Sequence, residues 1–310
     1  MTENMIAISQ DRFGGAEVLT PVTVPVPKPG INEILIRVHA AGVNPIDKTN
    51  RENGIFVGQP PFVLGWDVSG TVAAAGFGVT VHQAGDEVFG MLPFPRGHGA
   101  YAEYVVAPAR VFVPKPANLT HVAAASLPLA GLTAWQALAE IAHVGPGTRV
   151  LVNGAAGGVG HLAVQIAKSL GAHVTAVVSG PNADFARSLG ADDVLDRTVT
   201  DYTASVRDLD VVLDTRGIDA RPALDTLRPG GIFVTLAPPA IDPVRAEAER
   251  RGIRTAAFLV EADRVGMNAI AELAASKRLV PSVSATYPLA EAGKAQDAKP
   301  ARGKIVLEVA

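Results

Sequence analysis

The 310-residue sequence has no cysteine. That absence excludes disulfides, thiolate nucleophiles and every cysteine-based zinc site in one step. Strong charge of either sign is also missing: 27 lysines and arginines stand against 30 aspartates and glutamates, for a net charge of −3. No basic tract gathers positive charge to neutralise phosphates, so nucleic acid is not an expected partner. No apolar run approaches the length that spans a bilayer, and MTENMIAISQDRFGG at the N-terminus is polar where a signal peptide needs an apolar core. A cytoplasmic location without a membrane partner is the expectation. The histidines show no recognisable metal spacing, so no metal site is expected either.

What is present suits two globular units, since hydrophobic residues make up 48% of a chain about two domains long. The first third is punctuated by Gly and Pro and carries short β-like runs: Glu33 to His39, Val68 to Ala73, Glu87 to Gly90, Tyr101 to Val106 and Val111 to Val113. Such spacing predicts an antiparallel, barrel-like domain over residues 1–118. A helical stretch from His121 to Ala142 follows. Buried strands then alternate with helices at Val150 to Val152, Val174 to Val178, Val211 to Leu213 and Ile232 to Leu236, predicting a doubly wound parallel sheet over residues 119–265. Residues 266–310 end in a strand, Lys304 to Val309, expected to rejoin the barrel.

The sharpest signal is VLVNGAAGGVG at Val150 to Gly160, a strand running into a glycine-rich turn and then a helix. A dinucleotide site needs a tight turn, a small residue where the pyrophosphate approaches, and a third that lets helix and strand pack closely. Ala155, Gly157 and Gly160 hold those places, with Ala156, Gly158 and Val159 between them. A P-loop is excluded because His161 and Leu162 stand where Lys-Ser/Thr would. The next strand ends at Ser179 rather than at the acidic residue that binds a free ribose 2′-hydroxyl. NADPH is therefore expected over NADH, with Arg187 or Arg197 supplying charge to the 2′-phosphate. For Arg197 a surface ion pair with Asp193 or Asp201 is the competing reading. Leu236, at the end of its strand, completes the expected cofactor contacts.

The run GAAGGVGHLAVQIAK at Gly154 to Lys168 resembles the signature of quinone oxidoreductases of the medium-chain dehydrogenase/reductase superfamily. HAAGVNPID at His39 to Asp47, LGWDVSGTV at Leu64 to Val72, GDEVFG at Gly85 to Gly90, LPLAGLTAWQAL at Leu127 to Leu138 and GKIVLEV at Gly303 to Val309 extend the resemblance along the chain. It implies a GroES-like β-rich barrel domain beside a Rossmann domain, an active-site cleft between them, and commonly a homodimer. Catalytic zinc ligands of the related alcohol dehydrogenases match Asn44, Trp66 and Ala130, none of which replaces a thiolate or imidazole.

Without a Lewis acid the substrate must supply its own electron sink, which points to a quinone or an α,β-unsaturated carbonyl. The resemblance places Asn44 beside the nicotinamide ribose; an asparagine bonding the backbone of the turn before Pro45 is the alternative. Thr133 either hydrogen-bonds the cofactor or its own helix backbone. Asp47 either relays a proton or caps and pairs locally. A non-catalytic NADPH-binding or sensing protein, or a reductase of a biosynthetic intermediate, fits the same residues.

Overall fold

The structure is a computed structural model that describes residues 3–217 and 220–309. The barrel half begins with β1 (Asn4–Gln10), β2 (Thr20–Pro25), β3 (Glu33–Val43), β4 (Phe62–Val63), β5 (Asp67–Ala75), β6 (Glu87–Met91), β7 (Tyr104–Pro108) and β8 (Phe112–Pro114). The alternation at Glu33 to His39 does form a strand, but β3 continues to Val43 because Ala40 to Val43 are small or apolar and buried on both faces. It is the hub of the barrel, pairing antiparallel with β5 and β7 and with the chain's last strand. The run expected to start at Tyr101 starts at Tyr104 instead, and Tyr101 turns its ring fully inward.

β9 (Arg149–Asn153), β10 (His173–Val178), β11 (Asp193–Asp196), β12 (Leu209–Asp214), β13 (Leu227–Thr235) and β14 (Arg254–Ala257) form the second sheet, in the order β11-β10-β9-β12-β13-β14. Every pairing in it is parallel. The order reverses between β9 and β12, and ligands of doubly wound sheets bind at the carboxyl ends of strands at such a point. The chain then returns: β15 (Val283–Pro288) and β16 (Lys304–Glu308) join the barrel sheet, with Ile305 opposite Val43 on β3. The helix Arg264–Ala275 stays at the junction, packed on the helix Pro128–Trp135 and on β8.

The stretch expected as one helix from His121 to Ala142 is interrupted. Pro128 cannot donate the hydrogen bond that a continuing helix needs, so His121–Ala125 ends and a second helix, Pro128–Trp135, starts with the proline in its first turn. A wider, π-helical segment, Gln136–Ile141, completes it.

At the glycine-rich turn, Gly154 has φ +85°, a left-handed backbone that disfavours any side chain. The helix Gly160–Ser169 leaves the turn with Ala163 and Ile166 fully buried and stops before Gly171 at φ +89°. A Cβ on Gly160 would lie 2.2 Å from the Gly154 carbonyl oxygen and 2.8 Å from Ala155 Cα. Gly160→Ala should therefore cost about 1–3 kcal/mol of stability through overpacking against backbone. Chemical denaturation at fixed pH checks this, and an unchanged midpoint would show that the turn has room to relax.

Candidate active site

A cavity of about 1010 Å³ opens between the carboxyl ends of β9, β10 and β12 and the end of β3. Its floor includes Ala156, Gly157, Gly158 and Val159 of the glycine-rich turn; Ala155 and Gly160 lie beneath them, buried, and hold the turn's shape. The helix that begins at Gly160 points its N-terminal amides and positive dipole end toward this turn, which suits a pyrophosphate.

At one end of the cavity stand Ser179, Asn182 and Arg197, where β10 and β11 finish, and Leu236, just after β13. Of the two arginines expected there, Arg187 is drawn away to Asp184 at 2.7 Å, whereas Arg197 lines the cavity. Among the described residues Arg197 takes no ion-pair partner; Asp193 pairs with His173, and Asp201 accepts from Thr203. Arg216 also lines the cavity, a residue the sequence did not single out. Asp214 accepts hydrogen bonds from the backbone N–H groups of Arg216 and Gly217, at 3.1 and 3.0 Å, and this turn lays the arginine's side chain over Gly154. Among the described residues Lys48, Arg197, Arg216, Lys299 and Lys304 face the cavity, against Glu52 and Asp297 among the acids. Asp297 accepts from Lys48 at 3.0 Å and from the buried Arg51 at 3.1 Å, tying the helices Pro45–Asn53 and Ala292–Asp297 together at the rim.

Asn44 sits at the other end, where β3 gives way to the helix Pro45–Asn53. Sheet register gathers three polar residues here, because Val43 opposes Ile305 and Gly42 opposes Asp67. Asn44 Nδ2 donates to Asp67 Oδ2 at 2.9 Å, and Lys304 Nζ donates to Asn44 Oδ1. Lys304 reaches Asp67 Oδ2 at 3.4 Å and the Val43 carbonyl at 3.0 Å. Asp67 Oδ1 accepts the Leu129 N–H at 2.6 Å, from the first turn of the helix Pro128–Trp135. Thr133, on that same helix, lines the cavity while its hydroxyl donates to the Leu129 carbonyl at 2.7 Å. Its oxygen therefore has only acceptor capacity left for a ligand.

Asp47 is placed differently from the relay considered in the sequence. It is fully buried under the helix start and does not line the cavity. Its Oδ2 accepts the Asn44 backbone N–H at 2.8 Å and the Tyr101 hydroxyl at 2.7 Å, which makes it a cap that fixes where Asn44 begins the helix. The structure thus places Asp47 as the local cap of the helix and not against the cleft. Trp66 is also fully buried; the cleft wall is Phe94, packed edge-on against it at 5.1 Å between ring centroids.

Zinc does not fit these residues. Asn44 has its amide committed to Asp67 and Lys304, the indole nitrogen of Trp66 is a buried donor without a partner, and Ala130 has no ligand atom. Among the described residues no three His, Asp or Glu side chains converge to hold a metal. The glycine-rich turn and the helix N-terminus have the shape and polarity a dinucleotide needs, with Arg197 at the far end of the cavity.

Two buried ionisable groups beside the site are displaced in opposite directions. Burial pushes the Asp47 carboxyl up from 3.8 to about 7, against the opposing hydrogen bonds from Tyr101 and Asn44. Burial pushes His161 down from 6.5 to about 4. Its ring agrees with the neutral form: Nε2 accepts the Ser282 N–H at 3.1 Å, which leaves Nδ1 to donate to the Gly157 carbonyl at 2.9 Å. The Asp47 contribution to stability is complete below its ordinary value and lost as pH rises through about 7; that of His161 is complete above its ordinary value and lost as pH falls through about 4. The two slopes oppose one another in between. Asp47→Asn removes only the first, so its melting temperature relative to wild type should be higher at about pH 8 than at about pH 5. An offset equal at the two pH values would show that Asp47 does not titrate in that range.

Residues 30–117 match the alcohol dehydrogenase GroES-like domain, and residues 189–307 match a family described as zinc-binding dehydrogenase. A Mus musculus protein named NAD(P)H oxidoreductase RTN4IP1, mitochondrial, is 34% identical over 356 aligned positions, covering 96% of this chain and 88% of that protein. A trans-enoyl reductase, pgmF, of Aspergillus terreus is 36% identical over 230 positions, covering 69% of this chain and 64% of the relative. The solved structure of a quinone oxidoreductase from Coxiella burnetii superposes with a TM-score of 0.91 at 34% identity, over 99% of this chain and 100% of that one. Likeness over nearly the whole length, with the matched domains in the same order, makes the chain a member of the medium-chain dehydrogenase/reductase superfamily, in its quinone-oxidoreductase-like branch.

Proposed function

We propose that the protein is an NADPH-dependent reductase of quinones or α,β-unsaturated carbonyls that works without a metal. The observation that carries this reading is one continuous cavity. It holds a glycine-rich turn suited to phosphate and Arg197 at one end, and a clamped asparagine, Thr133 and Phe94 at the other, with no ligand set for a Lewis acid among the described residues between them. Reduced nicotinamide supplies hydride when bound. Asn44 orients the ribose of that half of the cofactor, and Phe94, Ile46 and Leu129 offer an apolar wall for a flat, conjugated acceptor. The electron-poor carbon of such an acceptor would take that hydride, the conjugated oxygen would take the electron pair displaced from the double bond, and water reaching the open cleft would supply the proton.

The preference for NADPH rests on Ser179, Asn182 and Arg197; among the described residues no acidic side chain lines the cavity beside them, and the nearest carboxylate, Asp196, lies behind Gly180 next to Arg197. A charge-assisted contact of Arg197 with the 2′-phosphate contributes on the order of 1.5–3 kcal/mol, so Arg197→Ala should weaken NADPH roughly ten- to a hundred-fold and leave NADH nearly unchanged. Arg216, over the turn that cradles the pyrophosphate, should weaken both cofactors alike when replaced by Ala. Titrating the two cofactors into both variants tests the assignment; equal losses in Arg197→Ala would remove it from the 2′-phosphate.

Purified protein should oxidise NADPH with members of a quinone and enone panel, and prolonged chelation should leave that rate unchanged. Loss of activity on chelation, restored by added zinc, would defeat the metal-free mechanism. Tight, stoichiometric NADPH binding without oxidation across the panel would favour a non-catalytic role on the same fold.

A further inference from the structure

Lys304 is 4% exposed, and its position in the fold is unusual for a lysine. Its Nζ has three protons and three protein acceptors: the Val43 carbonyl, Asn44 Oδ1 and Asp67 Oδ2. No N–H remains for a substrate or cofactor, so any influence on the reaction passes through its neighbours. The most directly affected is Asn44. Because an ammonium only donates and a carboxylate only accepts, the carboxamide can sit one way round: Oδ1 toward Lys304 and Nδ2 toward Asp67. One Nδ2 proton is left over for a ligand, since Oδ1 also serves the capping box at the start of the helix.

The stem of the same lysine crosses the cofactor turn. A Cβ on Gly158 would stand 3.1 Å from Lys304 Cδ, and the N–H of Gly303, the residue before, donates to the Ala156 carbonyl at 2.8 Å. One side chain thus spans the gap between the backbone that holds the pyrophosphate and the amide that borders the nicotinamide end. Stability alone does not require a buried ion pair at this point, since apolar groups of similar volume often serve as well.

We propose that Lys304 is a positioning residue for hydride transfer, setting the orientation of the Asn44 carboxamide and its distance from the glycine-rich turn. The proposal rests on the role of Asn44 beside the nicotinamide ribose given above. Lys304→Met alone would strand the Asp67 charge in the interior, so the informative variant is the double one, Lys304→Met with Asp67→Asn, which removes both charges together. Lys304→Arg is its companion, keeping the charge but changing length and shape, and it carries the test if the double variant does not fold.

Three quantities are measured on folded protein: NADPH affinity, the fluorescence lifetime of the bound reduced nicotinamide, and the single-turnover rate with the best acceptor. A positioning role leaves affinity within roughly threefold but shortens the lifetime, because the ring is less firmly held, and slows hydride transfer roughly ten- to a hundredfold. A merely structural lysine would leave a folded, cofactor-binding variant with the wild-type lifetime. An unchanged lifetime, or an unchanged rate where the wild type turns over, overturns the proposal. A wild type that reduces no acceptor sinks the reductase reading instead and leaves the lifetime to decide the role of Lys304.

Discussion

The antiparallel pairing of β16 with β3 is the contact on which the cleft depends. It joins segments more than 250 residues apart, Lys304 and Val43 being separated by 261 positions, and buries Ile305, Val306 and Leu307 at 5%, 0% and 0% exposure. Full burial of such a side chain contributes about 1.5–3 kcal/mol, enough for three of them to offset the ordering of a short strand. The pairing also carries the preceding loop across the mouth of the Rossmann sheet, where Gly303 bonds the glycine-rich turn. Without it the barrel would lack its C-terminal strand and the cavity one of its walls.

Polar burial around this pairing is handled in two ways. Asp67 is completely enclosed yet accepts from a lysine, an amide and a helix N-terminus, so its charge is matched on every side. Asp47, on the adjoining helix, is just as enclosed but has two donors on one oxygen and none on the other. Burial without a full set of donors is what lifts its pKa. Each carboxylate steadies Asn44 from a different side, one through its side chain and the other through its backbone.

Local pattern was enough to read the glycine-rich turn, the alternation of β3 and the change from barrel to doubly wound sheet. Features fixed by distant partners were not legible. β1 and β2 form a ribbon whose proline-containing second strand looks like a loop in isolation, and Pro128 cuts an alanine- and leucine-rich run that reads as one helix. Nothing near Lys304 announces burial, since its acceptors come from the end of β3, Asn44 and β5; a lysine followed directly by Ile305, Val306 and Leu307 was the available hint. Arg216 follows a strand end in a turn whose shape depends on the buried Asp214. Asp47 sits in a motif that suggested chemistry, and only the three-dimensional packing turns it away from the cleft.

The charges around the cavity are unevenly neutralised. Lys304 is balanced by Asp67 and Lys48 by Asp297, both toward the barrel, whereas Arg197, Arg216 and Lys299 have no ion-pair partner among the described residues. The remaining field is therefore uneven, with Arg197 and Arg216 on the doubly wound side and Lys299 on the segment that returns to the barrel. Such a field would favour the approach of an anionic dinucleotide by its phosphates. A neutral, conjugated acceptor feels almost none of this pull. Salt should consequently slow capture of the cofactor while leaving capture of the acceptor nearly untouched, so ionic strength would govern how quickly the protein is loaded rather than how quickly it is used.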